Sequence, residues 1–143
     1  YRKSQLLDIA GDKITEEMMD KTVAEFGKRI GTHITDYCVF INRDVSPAHY
    51  EFLVEPDKEM DVSKCDEYRE LLEEILGEIN PVYKECKDTN EIAPAILYLQ
   101  QPQTHALWRE FKMMKGASAN QVKPVRVLDT PMKKGFFYKL IQE

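Results

Sequence analysis

At 143 residues, with 43% hydrophobic and 31% charged side chains, the chain is long enough to bury a core and too apolar to be disordered. Its formal net charge of −5 argues against nucleic acid as a partner, and no apolar run is long enough to span a bilayer. Three cysteines without a C-x-x-C spacing read as reduced thiols of a cytoplasmic protein, and three scattered histidines offer no metal-ligand spacing, so no metal site is expected.

In chain order, residues 5–11 (QLLDIAG) predict a short strand closed by a glycine turn. Thr15 is placed to cap a helix whose first turn holds Glu16 and Glu17, where carboxylates favour the positive helix end. Met19, Val23, Phe26 and Ile30 fall on one face at helical spacing, and Gly31 marks the stop. Residues 36–41 (DYCVFI) and 48–55 (AHYEFLVE), joined by NRDVSP, predict an antiparallel hairpin. In the second of these, Tyr50, Phe52 and Val54 alternate with His49, Glu51 and Leu53. Ser63 with Asp66 has a spacing like that of a capping box. Behind it Tyr68, Leu71, Leu72, Ile75, Leu76 and Ile79 predict an amphipathic helix, with Glu70, Glu73, Glu74 and Glu78 facing solvent. Pro81 opens a shorter helix carrying Val82, Tyr83 and Cys86, and AILYLQ predicts a further strand. Leu107, Trp108, Phe111 and Met114 line another helix that stops at Gly116. VRVL reads as a last strand, and Thr130-Pro131 starts a terminal helix with Phe136, Phe137, Leu140 and Ile141 inward. The order βαββααβαβα lacks strict βαβ alternation and predicts an α+β fold, a mixed sheet with packed helices in a single domain.

Charge is unevenly spread. Residues 112–143 hold seven basic and two acidic side chains, net +5, whereas the preceding part holds 13 basic and 23 acidic, net −10. No catalytic triad, Walker loop or dinucleotide fingerprint accompanies the basic stretch. Two lysines stand out by their setting. Lys13 follows Gly11 and Asp12 between a strand and a helix N-terminus, a place that suits anions. Lys123 lies in QVKPVR, where Pro124 favours an extended conformation before it. In such a segment Gln121 and Lys123 share a face and Arg126 points the other way, so an amide and an ammonium could meet a phosphate. Each lysine is also readable as a solvated surface charge. The basic tail lacks base-stacking aromatics interleaved with its cations, which disfavours a nucleic-acid patch.

LLDIAGDKITEEMM and FKMMKGASANQVKPVRVL together resemble the C-terminal domain of the auxin-responsive acyl-acid amido synthetase family, itself similar to the firefly-luciferase-like adenylate-forming enzymes. The first segment carries the family's turn motif at Gly11, Asp12, Lys13 and Glu16. The second carries its loop motif at Gly116, Ala117, Ser118, Gln121, Lys123 and Arg126. The family places a proline directly before the arginine, whereas Val125 stands there and Pro124 follows the lysine. The resemblance implies a mobile lid domain of a larger enzyme whose N-terminal adenylation domain, with most of the ATP and acyl-acid site, is not in this chain. That Tyr1 rather than methionine comes first fits a piece of a longer chain. In such an enzyme a carboxylic acid is activated with ATP (and Mg) as an acyl-adenylate, and an amine such as an amino acid then displaces AMP. The resemblance implies Lys123 and Lys13 as catalytic residues, Gln121 and Arg126 as nucleotide contacts with Arg126 also able to brace the loop, and a hinge near Tyr1, Arg2 and Lys3. The isolated domain is expected to be inactive. The alternative is a non-catalytic module that docks an acidic protein through its basic loop.

Overall fold

The computed structural model describes residues 5–143, less the side chains of residues 5 and 119, so the expected hinge at Tyr1, Arg2 and Lys3 lies outside the described residues. Strand β1 (Gln5–Leu7) turns through Gly11, whose φ of 87° suits a residue without Cβ, and meets β2 (Ile14–Thr15) antiparallel. Helix α1 (Glu16–Ile30) follows directly. As expected, Thr15 Oγ1 accepts the Met18 N–H at 3.1 Å, and Gly31 closes the helix in the left-handed region. Strands β3 (Ile34–Asn42) and β4 (His49–Pro56) pair antiparallel, as the alternation predicts. Next come α2 (Cys65–Ile79) and α3 (Pro81–Asp88), then β5 (Ile96–Leu99), which lies parallel to β4. The mixed sheet has the order β3-β4-β5. Helices α4 (Thr104–Met114) and α5 (Pro131–Tyr138) complete the α+β fold.

Alternation along the strands sorts the core into two layers. Tyr37, Val39, Tyr50, Phe52, Val54, Leu97 and Leu99 face α1, α2 and α3, packing with Met19, Phe26, Leu72, Ile75, Leu76 and Tyr83. Cys38, Phe40, Leu53 and Tyr98 face the other way, onto Trp108, Leu128 and Phe137. Central strand β4 is buried along its whole length, the condition in which each large apolar side chain contributes about 1.5–3 kcal/mol.

The structure departs from the sequence expectations in five places. VRVL is not a strand. Only Val127 bridges Val39, with Val39 N–H donating to Arg126 O and Leu128 N–H to Val39 O. Pro124 lacks a donor on one side and Pro131 already begins α5 on the other, which leaves no length for a ladder. Asp61, not a Ser63–Asp66 box, caps the short 3₁₀ turn Val62–Lys64 by accepting the Ser63 N–H at 3.0 Å, and α2 starts after it. Glu73 is buried rather than solvated. Its carboxylate accepts from Tyr83 Oη (3.0 Å) and Ala95 N–H (2.9 Å) and pairs with Lys87 and Arg69, which offsets its desolvation. On α4 the inward stripe is Thr104, Trp108 and Phe111, while Leu107 and Met114 are exposed. Helix α5 ends at Tyr138, and Ile141 instead forms a bridge with Gln100. The three cysteines are free.

Candidate functional site: a braced basic loop

The loop after α4 is built from local hydrogen bonds. Gly116 turns at a φ of 104°, and Ala117 N–H donates back to Lys112 O at 3.1 Å. Ser118 and Gln121 then cap each other across the 3₁₀ turn Ala119–Gln121. Ser118 N–H donates to Gln121 Oε1 at 3.1 Å, and the Ser118 side chain accepts from the Gln121 backbone. One side of the Gln121 amide is thereby committed to the turn, and its NH₂ remains a donor. Lys123 follows, exposed and without an ion pair among the described residues. Val125, 7% exposed, drops into the core beside Trp108 and Phe137. The residue that breaks the family's proline-arginine order is thus the loop's apolar anchor.

Lys13 stands on a tighter turn. Asp12, 2% exposed, accepts the N–H groups of Ile9 (2.8 Å) and Ala10 (3.0 Å) on one carboxylate oxygen and the Tyr50 hydroxyl on the other. Asn80 donates to Asp12 O at 2.7 Å, and Asp8 accepts the Gly11 N–H at 2.7 Å. Burial, reinforced by Asp12, pushes the Tyr50 hydroxyl far up, so it stays a donor. This knot holds Lys13 at a φ of 47°, an uncommon left-handed conformation, with its side chain exposed.

Arg126 joins the two segments. Its Nη1 donates to Asp36 Oδ1 at 2.5 Å and to Tyr37 O at 3.2 Å, and the guanidinium sits 4.3 Å from the Tyr37 ring centroid. Its Nε lies 3.9 Å from Glu16 Oε2. Glu16 closes the first motif and Arg126 the second, so the fold brings together stretches far apart in sequence. Of the four residues singled out from sequence, Lys13, Gln121 and Lys123 are exposed, while Arg126 turns inward with most of its polar contacts to β3. The sequence reading missed Asp36 and Tyr37 as the seat of Arg126, and Tyr50 and Asn80 as the props of the Asp12 turn. The only signal was the strand alternation, which marks facing but not partners. Among the described residues no group of three or more His, Cys, Asp or Glu side chains is gathered that could hold a metal ion. Among the described residues no side-chain cluster therefore forms a Mg site of its own. Among the described residues no helix is long and apolar enough to cross a membrane.

These features define a class: an α+β domain with helices on both faces of a mixed three-stranded sheet and a braced, positively charged loop at one side. The GH3 family C-terminal domain matches residues 15–132, and the chain belongs to the GH3 family, as the resemblance of its motifs implied. Its fold is similar to that of a solved structure titled GH3.15 acyl acid amido synthetase, with a TM-score of 0.84 and 20% identity over 99% of this chain and 26% of that one. A second, AtGH3.15 acyl acid amido synthetase in complex with 2,4-DB, gives a TM-score of 0.78 at 20% identity, with the same 99% and 26% coverage. The chain thus spans about a quarter of the length of those chains. No curated protein sequence matches it.

Proposed function

We propose that this chain is the C-terminal lid domain of an ATP-dependent acyl acid amido synthetase, acting with an N-terminal adenylation domain. In that reaction a carboxylate oxygen of the acyl acid bonds to the α-phosphorus of ATP and pyrophosphate leaves. An amine then forms a C–N bond at the acyl carbon, AMP leaves with the bonding electron pair, and the amine proton passes to a base or to water. The part of this chain is electrostatic. A lysine ammonium that the lid brings to the phosphates offsets charge developing on their oxygens, and it acts most strongly where water is excluded. Lys123 is the first candidate and Lys13 the second, with the Gln121 amide as a phosphate or ribose donor. Arg126 braces the loop in this account, since its guanidinium is engaged by Asp36 and Tyr37. Three free thiols suit a reducing, cytoplasmic setting.

The observation that carries this reading is the exposed Lys123, without an ion pair among the described residues, on a loop held by the Ser118–Gln121 cap, Val125 and Arg126. Simple solvation of a surface lysine does not call for a reciprocal Ser118–Gln121 cap or an inward-turned arginine anchor. The test is to assay the longer protein and this chain side by side with ATP, a panel of carboxylic acids and an amine. The account expects pyrophosphate release and amide from the longer protein and neither from this chain alone. Release by this chain, or a longer protein that makes no adenylate with any acid while the basic loop captures an acidic protein, would favour a docking module instead.

A further inference from the structure

On the α4–α5 face of the sheet lie the buried Glu55 and the partly buried Asp36 and Arg126, and only the Asp36–Arg126 contact has a part in the account above. Asp36 of β3 and Glu55 of β4 are register partners, directly opposite each other. Facing carboxylates destabilise a strand pair unless something sits between or beside them. Two basic side chains do so, and they come from the two segments that flank the basic loop. Before the loop, His105 in the first turn of α4 donates its backbone N–H to Glu55 Oε1 at 2.8 Å, and its Nδ1 lies 2.7 Å from the same oxygen. Gln103 supplies no side-chain cap to α4, so Glu55 satisfies this helix end from another strand. His105 Nε2 is buried without a hydrogen-bond partner, 3.9 Å from Asp36 Oδ1. After the loop, Arg126 Nη1 donates to that same Asp36 oxygen at 2.5 Å. Burial alone would raise the Glu55 carboxyl, but donors from His105 and Thr35 outweigh it and hold it below its ordinary value.

We propose that Asp36 and Glu55 are positioning residues that clamp both ends of the segment presenting Gln121 and Lys123. Asp36 holds the exit through Arg126, and Glu55 holds the entry through His105 and the start of α4. Between these points the segment is held by its local Ser118–Gln121 cap, by the Ala117 N–H to Lys112 O bond, and by Trp108, Phe111, Val122 and Val125 in the aromatic layer. The clamp fixes where the Lys123 ammonium stands, so its effect on turnover rests on the reading of Lys123 as the lysine that meets the phosphates.

Two measurements separate the clamp from that reading. In this chain, Asp36→Asn removes the charge from the exit contact and Arg126→Gln removes its guanidinium, while the hydrophobic core is kept. Amide hydrogen exchange at Ala117, Ser118 and Gln121 is expected to quicken about tenfold in both, the scale of one lost charge-assisted hydrogen bond, with the β4 amides unchanged. In the longer protein, Asp36→Asn is expected to lower kcat for ATP–pyrophosphate exchange about tenfold with KM little altered, and to add nothing once Lys123→Ala is present. Loop exchange at the parent rate in both variants overturns the clamp. So does a loss that adds fully to that of Lys123→Ala, the mark of general destabilisation. If Lys123→Ala itself leaves turnover intact, the nucleotide reading fails instead, and the exchange rates alone decide whether the loop is clamped.

Discussion

The three strands present two faces, and the helices are held to them differently. On the face covered by α1, α2 and α3, strand side chains are almost all apolar, and the buried carboxylates, Asp12 on its turn and Glu73 on α2, come from outside the sheet and meet the Tyr50 and Tyr83 hydroxyls. On the face covered by α4 and α5, the apolar part is aromatic, with Trp108 centred 5.0 Å from Phe136 and 5.4 Å from Phe137. There β4 buries Glu51 and Glu55 beside Leu53. Glu51 accepts from Tyr138 Oη at 2.5 Å and from Asn42 at 3.1 Å, and lies 2.9 Å from His49. The strands offer mainly apolar area to one face, and to the other area and paired charge together. Area tolerates acid; paired carboxylates do not. The second face also carries the basic loop, so what positions that loop is electrostatic as well as hydrophobic.

The largest expected effect lies on the apolar face. Phe52 is 1% exposed, and Phe52→Ala should cost about 3–5 kcal/mol in urea unfolding, because a cavity replaces a ring that the layer cannot close over. On the charged face, Glu55→Leu keeps side-chain bulk but strands the His105 N–H, and should cost about 1–3 kcal/mol. Trp108, the one tryptophan of the chain, stands on this face and makes the change visible by fluorescence. A loss larger than that of Phe52→Ala would reverse the comparison.

Acid sharpens the same contrast. Burial alone would raise Glu51 and Glu55, but donors from Tyr138, Asn42 and His49 and from His105 and Thr35 outweigh it, and both carboxyls fall below their ordinary value of 4.5. A carboxylate with a depressed folded pKa adds stability that is complete above its unfolded pKa and is lost as pH falls through the folded one. The urea midpoint should therefore hold from neutral pH down to about 5 and then fall, and Glu55→Leu should flatten that fall. A midpoint that drops equally in parent and variant would remove Glu55 from the account. The smallest effect belongs to Met114, 86% exposed, where Met114→Ser should shift stability by less than about 0.5 kcal/mol.

The apolar face was legible in the sequence because alternation and helical spacing depend on one residue at a time. Tyr50, Phe52 and Val54, or Leu72, Ile75 and Leu76, needed no knowledge of a partner. The charged face was not legible, since a glutamate that ends up buried looks the same as one that stays in water until its cation is known. On the other side of the sheet, Glu73 of α2 was placed outside for the same reason, before Arg69, Lys87 and Ala95 could be seen to converge on it. At the candidate site, the turn and loop motifs marked Lys13, Gln121 and Lys123, but Asp36, Glu55 and His105 acquire meaning only from strand register. VRVL failed as a strand because its valine-rich pattern says nothing about how much room Pro124 and Pro131 leave it.

The central claim is that the loop exists to hold Lys123 against a nucleotide. The measurement that meets it most directly is ATP–pyrophosphate exchange by the longer protein carrying Lys123→Ala, beside Lys123→Arg and the loop-distant control Lys133→Ala. The account predicts a fall of about a hundredfold for Lys123→Ala, expressed in turnover more than in substrate binding. It predicts partial rescue by Lys123→Arg, whose planar guanidinium replaces a compact ammonium imperfectly, and parent-like rates for the control. Exchange within about twofold of the parent for Lys123→Ala, a barrier change below roughly half a kcal/mol, would contradict it.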